Sequence, residues 1–329
     1  MIISTVAIIV RTKDRPTFLT RALANIAAQT YPHYSVVVVN DGGATAPVDR
    51  IVATAGLGEK VQVLHREVSE GMEAASNAGI RASASDYIAI HDDDDLWEPT
   101  FLEKTVARLE QTGAAMVTVR IDEYFERITD AGIFKHLDSR PFWGFIQGVH
   151  LHDLFRINRA VPIGILHRRS LHDELGYYEE SLPVVGDWEF NLRVAQRYPV
   201  EFVDENLAHW SKRVNATGAN ANSTVAGFDA HRHYDACVRE EAVRDHLTSG
   251  GHAGPYLFAA NLANEVQGAV DEAHASVRAS AGETADMLRG VSEKLDRIEH
   301  AQREQAERLA RIEKALSVKD RVRSVLKRG

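Results

Sequence analysis

Residues 87–99 read Tyr87-Ile88-Ala89-Ile90-His91-Asp92-Asp93-Asp94-Asp95-Leu96-Trp97-Glu98-Pro99. An apolar run of strand length meets four consecutive carboxylates, with no Lys or Arg among them. Two adjacent carboxylates about 6 Å apart repel by roughly 0.7 kcal/mol in water and about 3 kcal/mol at an effective dielectric near 20. The cluster therefore asks for a cation. If strand geometry persists past His91, Asp92 and Asp94 point to one face and Asp93 and Asp95 to the other. An i, i+2 carboxylate pair at the C-terminal end of a strand can hold Mg2+ or Mn2+, with phosphate oxygens as the remaining ligands. The plainer alternative is a solvated acidic turn in which Asp95 caps the next helix.

Upstream of this stretch, apolar runs alternate with helical patterns. Strands are expected at Val6 to Val10, Ser35 to Asn40, Val61 to Leu64 and Tyr87 to His91, with helices at Thr17 to Gln29, Pro47 to Ala55 and Met72 to Ala82. Downstream, Pro99 opens a helix to about Gln111, and Ala115 to Val119 is a further strand. Continuous Val/Ile runs mark strands covered on both faces, and the β-α-β alternation implies a mainly parallel sheet. Ligands bind such sheets at the carboxyl ends of the strands. Three polar features stand at those ends: Thr12 to Arg15, Asp41-Gly42-Gly43 and the Asp run. Asp122 to Val161 reads as an irregular, aromatic-rich excursion able to shape an acceptor pocket. Order resumes at Pro162 to His167 and at Gly186-Asp187-Trp188-Glu189-Phe190, which opens a helix to Arg197. Residues 215–227 read as a loop, and Phe228 to Leu247 as a helix, with another helix from Pro255.

The 329 residues are 44% hydrophobic and 26% charged, which suits one large domain with an appendage. A net charge of -9 argues against nucleic-acid binding. Residues from Val291 to Gly329 nonetheless carry 11 Lys/Arg against 7 Asp/Glu, so this tail differs in role from the body. The single cysteine, Cys237, excludes an intramolecular disulfide and a zinc-cysteine cluster, and a reducing compartment fits best. Met1 to Val10 lacks a basic leader region and reads as a buried strand, and no stretch approaches the roughly 18 to 20 apolar residues that span a bilayer. The expected location is cytoplasmic.

The last segment carries heptads. Leu288, Leu295, Leu309 and Leu316 fall at one core position and Val291, Ile298 and Ile312 at the other, with Gln302 and Gln305 interrupting the seam. This pattern predicts a coiled coil and a homo-oligomer joined through residues 286–317, and Leu at the first position with Ile at the second leans toward more than two strands. A helix packed on its own body is the alternative. Val318, Val322, Val325 and Leu326, interleaved with Lys319, Arg321, Arg323, Lys327 and Arg328, form a basic amphipathic end. It suits either peripheral contact with the inner, anionic face of a membrane or a solvated helix terminus.

The order of motifs resembles the inverting, nucleotide-sugar-dependent glycosyltransferases of family 2, whose fold is of GT-A type. The resemblance covers roughly residues 4–215. Val6 to Arg15 is similar to the family's opening strand and loop, and Gln29-Thr30-Tyr31 with Val36 to Gly43 to its second strand and Asp-Asp-Gly-Ser turn. Gly71 to Ile80, with Asn77 and Gly79, resembles a Gly-x-x-x-Ala-Arg-Asn-x-Gly-Ile helix, and Tyr87 to Pro99 the Asp-x-Asp strand. Gly176 to Glu180 and Asp187-Trp188-Glu189 resemble the acceptor-side Gly-x-Phe-Asp-Glu and Glu-Asp-Trp segments. Each motif is weak alone; five in order are specific.

The resemblance implies a GT-A domain over residues 1–225; beyond it the helical pattern gives a helical extension (226–282) and the heptads a coiled coil with a basic end (283–329). It implies donor-binding roles for Thr12, Asp14, Arg15, Asp41, Asn77, Asp92 and Asp93. Asp92 and Asp94 would ligate Mn2+ or Mg2+, with His209 as a further metal contact, and Lys212 and Arg213 would meet the diphosphate. Asp187 would be the general base for transfer from a nucleoside diphosphate sugar, UDP-sugar favoured, to a glycan, lipid-linked or protein acceptor in surface glycan synthesis. Its place at a helix start would favour the ionised form, and simple helix capping is its other reading. Asn40, Gly43, Ser76 and Gly186 depart from the family pattern, Gly186 standing where a Glu precedes the base. A sugar nucleotidyltransferase and a silent coiled-coil scaffold are the rival readings. The first is weakened by the absence of a glycine run in Thr12-Lys13-Asp14-Arg15-Pro16.

Overall fold

The computed structural model describes residues 4–129, 132–213, 216 and 228–326, with side chains through residue 311 apart from 228. The chain divides into two compact units, Met1–Val243 and Arg244–Gly329, within the segment expected to be a helical extension. The expected loop at 215–227 and the side chains of the basic end lie outside the described residues.

The first unit runs β1 (Val6–Thr12), α1 (Pro16–Ala27), β2 (Tyr34–Asp41), α2 (Thr45–Thr54), β3 (Val61–Arg66), α3 (Met72–Arg81), β4 (Tyr87–Asp92), β5 (Leu96–Trp97) and α4 (Phe101–Thr112). It continues with β6 (Met116–Ile128), β7 (Phe134–Phe142), α5 (Leu151–Leu154), β8 (Ile165–Arg168), α6 (Ser170–Leu175), α7 (Gly186–Arg197) and β9 (Val200–Lys212), and closes with a helix Phe228–Thr248. One sheet holds all nine strands in the order β3-β2-β1-β4-β8-β6-β9-β5, with β7 paired to β6. Strands β3, β2, β1 and β4 are parallel, as the β-α-β alternation requires. Beyond β4 the sheet turns mixed: β8 is antiparallel to both β4 and β6, while β9 runs parallel to β6.

The unbroken apolar strands are explained by burial on two faces. Ile8, Val10, Val36, Val38 and Ala89 pack on one side with Leu19, Leu23 and Ile26 of α1 and Phe101 and Leu102 of α4. Ala7, Ile9, Val37, Val39, Ile88 and Ile90 pack on the other with Ala75 and Ile80 of α3 and Trp188 and Phe190 of α7. Alternate residues of each strand thus serve different cores. Helix α3 approaches β1 so closely that a Cβ at Gly79 would lie 2.4 Å from Ile9 Cγ2. Pro16 occupies the first turn of α1, and Gly113 closes α4 in the left-handed region at φ 68°.

The expected irregular excursion at Asp122 to Val161 is corrected in its first half. Strand β6 continues to Ile128 and β7 returns antiparallel from Phe134, paired from Ile121↔Phe142 to Ile128↔Phe134 with a one-residue register shift between Phe125 and Glu126. Only its ends touch the body, Phe142 on the core and Phe134 on Phe18; the residues between are exposed and pair with β6 alone, so they carry no apolar signature. The second unit is built on a single helix, Gly254–Leu326. Among the described residues no helix is long and apolar enough to cross a membrane.

Candidate active site

The Asp run finds its cations within the protein. Parallel pairing sets Arg11 of β1 beside Asp92 of β4, and its guanidinium donates to both carboxylate oxygens at 2.8 and 2.7 Å. Arg15, in the turn after β1, meets Asp93 at 2.8 Å and Asp94 at 2.9 Å. Arg213, just past β9, pairs with Asp94 and, at 3.0 Å, with Glu126, which Arg21 also holds. Arg15 and Arg213 both stack on Phe18, at 4.2 and 4.6 Å. Asp93, Asp94 and Asp95 are all buried, so the solvated-turn reading is excluded. The cations that the electrostatics demand include a set of guanidiniums supplied by the protein itself.

Burial and neighbouring charges drive the protonation behaviour of Asp93, Asp94 and Asp95 apart. Burial raises Asp93 to about 7 against the opposing charge of Arg15. Burial pushes Asp94 upward too, but Arg15 and Arg213 outweigh it and hold the carboxyl below its ordinary range. Asp95 is raised well above that range by burial and by the charges of Asp94 and Asp92. Its Oδ1 accepts the Ser211 N–H at 2.8 Å, bracing β9 against the turn.

Asp92 and Asp187 line one cleft of about 650 Å3, with Arg11, Glu73, Asp95, Lys212 and the indoles of Trp143, Trp188 and Trp210. Arg11 and Asp92 sit at the carboxyl ends of β1 and β4, where a sheet of this type binds ligands, and α3, α7 and β9 bring the others to them. His231, Arg232 and Asp235 of the helix Phe228–Thr248 complete the wall. Asp187 lies in the first turn of α7, one residue inside its start, and no side chain caps that end. It is thus not the helix cap. Its Oδ2 accepts from Asn158 Nδ2 at 2.8 Å. Burial raises its carboxyl despite hydrogen bonds from the Trp188 backbone and Asn158. The expectation that the helix start dominates its ionisation is reversed, because burial outweighs those stabilising contacts.

Other expected residues hold the scaffold. Asn77 is buried, donates to the Tyr178 carbonyl and Glu180, and accepts the Tyr178 N–H. It clamps the 176–180 segment onto α3 and does not reach the cleft, which corrects its donor-binding role. Asp41 accepts from Arg66, Ser69 and the N–H groups of Glu70 and Gly71, closing the loop before α3. Asp14, at φ 52°, receives the Ala44 N–H at 2.9 Å and ties the β1 and β2 loops together. Thr12 Oγ1 donates to Asp93 at 2.7 Å.

His209 pairs across β5 with Leu96, so β9 does run beside the Asp run. Its Nε2 contacts Glu98 at 2.9 Å, away from the aspartates. Among the described residues, no three His, Cys, Asp or Glu side chains converge on one point. The expected set Asp92, Asp94 and His209 is therefore not assembled: arginines take Asp94 and Glu98 takes His209. A hard cation, however, needs only one or two carboxylates when substrate phosphates supply its other ligands. Asp92, with its side chain 28% exposed and facing the cleft, fits that limited demand.

Lys212 and Arg213 were expected as a pair, and strand alternation separates them. Lys212 faces the cleft with its Nζ 3.0 Å from the Trp210 ring centre. Burial lowers it to about 8, partly opposed by Glu123, Asp95 and Asp94. Glu73, absent from the sequence reading, stands 3.8 Å from Arg11. Burial raises it to about 8, with Arg11 opposing and Asp187 and Asp92 adding. Its carboxyl fills the space left by Gly186, where a Cβ would come within 2.6 Å of Glu73 Cδ. The signal was present: the glycine directly before Asp187 marks a close approach.

Comparison with known proteins follows the same lines. A family model described as Glycosyl transferase family 2 matches residues 7–171, half of the chain. The uncharacterized glycosyltransferase YwdF of Bacillus subtilis is 29% identical over 199 residues, covering 60% of this chain and 70% of YwdF. The putative glycosyltransferase EpsH of the same species is 29% identical over 134 residues, 41% of this chain and 37% of EpsH. Among solved structures, S. aureus TarS 1-349 in complex with UDP aligns with TM-score 0.51 at 15% identity, over 63% of this chain and 60% of TarS 1-349. Its complex with UDP-GlcNAc aligns with TM-score 0.52 at 16% identity, over 66% and 61%. At such identity the likeness concerns the fold, which is GT-A.

Proposed function

This chain belongs to glycosyl transferase family 2, and from that premise we propose that it moves a sugar from a nucleoside diphosphate sugar to an acceptor hydroxyl with inversion at the anomeric carbon. The observation that carries the reading is the single cleft in which Asp92, Asp187, Lys212 and three tryptophans meet. Asp187 is the general base. It takes the proton of the acceptor hydroxyl while that oxygen bonds to the anomeric carbon and the bond to the nucleoside diphosphate breaks. The burial-raised carboxyl of Asp187 strengthens it for this task, since a base works best when its pKa lies close to the operating pH.

Lys212 offsets charge on the departing diphosphate. Asp92 is the side chain that would hold Mn2+ or Mg2+, whose chemistry is to neutralise the same leaving group. Asp94 anchors Arg15 and Arg213, and Asp93 with Thr12 and Arg15 sets the turn that borders the nucleotide. Thr12, Asp14 and Asp41 shape the loops on which the base would lie. The tryptophans offer flat apolar faces for sugar rings. A UDP-sugar is the first donor to test, since the fold neighbour TarS is solved with UDP and UDP-GlcNAc. The acceptor is a glycan, lipid-linked or protein hydroxyl in surface glycan synthesis. The helix Gly254–Leu326 self-associates, and its basic end touches an anionic membrane surface.

Thermal-shift measurements with UDP, GDP, CDP and dTDP, with and without Mn2+, test the donor. A nucleotide at about 100 times its Kd stabilises the folded chain by about 2.7 kcal/mol. Mn2+-dependent hydrolysis of the matching nucleotide sugar should follow. Absence of any shift and of any turnover would return the scaffold reading.

A further inference from the structure

Building on the proposed self-association, we infer that the helix Gly254–Leu326 pairs with second copies of itself in parallel and in register. The helix is 73 residues long, about 110 Å at 1.5 Å per residue. Leu288, Val291, Leu295, Ile298 and Leu309 are each more than half exposed among the described residues, so within its own unit the stripe has no cover. The alternating 3 and 4 spacing sets Leu288, Leu295, Gln302 and Leu309 at heptad position a, and Val291, Ile298, Gln305 and Ile312 at d. Carried upstream, the d position lands on Val277 and Val270, which are exposed as well. Between them the repeat carries Ala281 and His274 at a and Thr284 at d, so the apolar seam proper is that of residues 286–317, and such a seven-residue repeat is matched by a helix with the same repeat.

The flanking charges decide the orientation. In a parallel pair, each g residue faces the e residue five positions on in its partner. Parallel register sets Lys294 against Glu299 of the second copy and Arg308 against Glu313, while Ala301 meets Ala306. The antiparallel register that stacks Gln302 on Gln305 has g facing g and e facing e. It sets Lys294 against Ala315, Ala301 against Arg308, Glu299 against Ala306 and Ser292 against Glu313. No opposite charges meet in that arrangement. In the parallel one, both Gln layers also meet their own kind and penalise a shift of register. Leu at a with Val or Ile at d suits assemblies of more than two helices. Parallel pairing tethers every copy of the catalytic unit to the same end of the rod, so several clefts serve one acceptor.

The test uses the full chain carrying Cys237→Ser, so that the only thiol is an introduced one. Light scattering should give a mass at least twice 36.5 kDa. Leu295→Cys should then form a disulfide with itself in a redox buffer, and Leu309→Cys should do the same as a check against local disruption. Glu299→Lys with Glu313→Lys should lower the self-association constant by tenfold or more. A monomeric chain overturns both this inference and the self-association beneath it. An assembled chain whose Leu295→Cys form crosslinks only when mixed with an Ile312→Cys form overturns the parallel orientation alone.

Discussion

Replacing Asp94 with alanine separates an arginine anchor from a metal ligand. The side chain is 12% exposed and pairs with Arg15 at 2.9 Å and with Arg213, itself 2% exposed. Removing one partner of a buried ion pair costs about 3 to 5 kcal/mol, because the other charge stays buried. Here Arg15 keeps Asp93 and Arg213 keeps Glu126, so the lower end applies, about 3 kcal/mol. For a unit of this size each kcal/mol moves Tm by about 2 to 4 °C, so Asp94→Ala should unfold roughly 6 to 12 °C below the parent chain. The measurement is thermal unfolding in EDTA, repeated with Mn2+ and nucleotide. Asp92→Ala provides the contrast: its side chain is 28% exposed and lines the cleft, so its removal should abolish any Mn2+-dependent gain in Tm, which Asp94→Ala should keep. An Asp94→Ala chain as stable as the parent in EDTA, yet unresponsive to Mn2+, would refute the anchor and restore the metal ligand.

Further outcomes follow from the cleft. Asp187→Asn should cut transfer by about 10²- to 10⁴-fold, the usual contribution of a general base, with no loss of Tm. In the parent chain, activity should fall with acid at a pH above the ordinary aspartate range, since burial raises Asp187 and protonation removes the base. Gly186→Ala should push the Glu73 carboxyl off its place beside Arg11, lowering Tm and turnover at a cost of about 1 kcal/mol, and adding Glu73→Ala should relieve it. Glu73 binds its proton more tightly folded than unfolded, so its contribution to stability is lost as pH rises from about 4.5 to about 8. Glu73→Gln should flatten urea-unfolding curves across that window. Lys212 loses its charge near pH 8, so the KM for donor should rise above that pH, and Lys212→Arg should remove the rise.

Much of the fold was legible because its decisive strands are covered on both faces. Val6 to Val10 and Val36 to Val39 had to be uninterrupted and apolar, whichever helices cover them. The β6–β7 hairpin was not legible, since an exposed strand with a single neighbour needs no apolar pattern. At the site, the sequence order placed Asp92 and Asp187 at strand and helix ends that could face one cleft. Asn77 misled because a motif position says nothing of where the amide points; it clamps Tyr178 and Glu180.

By itself, the sequence determined that this chain builds a parallel α/β core and gathers carboxylates at its ligand-binding edge. It also set a heptad stripe, broken by Gln302 and Gln305, on the last helix. Those features depend on local periodicity and on which residues follow which. Only the tertiary structure decided how the four aspartates are neutralised. The cations of Asp92, Asp93 and Asp94 arrive from Arg11, Arg15 and Arg213, residues about 80 to 120 positions away, brought in by the β1–β4 pairing and by β9, while Asp95 is met by the Ser211 N–H. Electrostatic need can be read from adjacent charges, but its satisfaction depends on distance in space, which the order of residues does not contain.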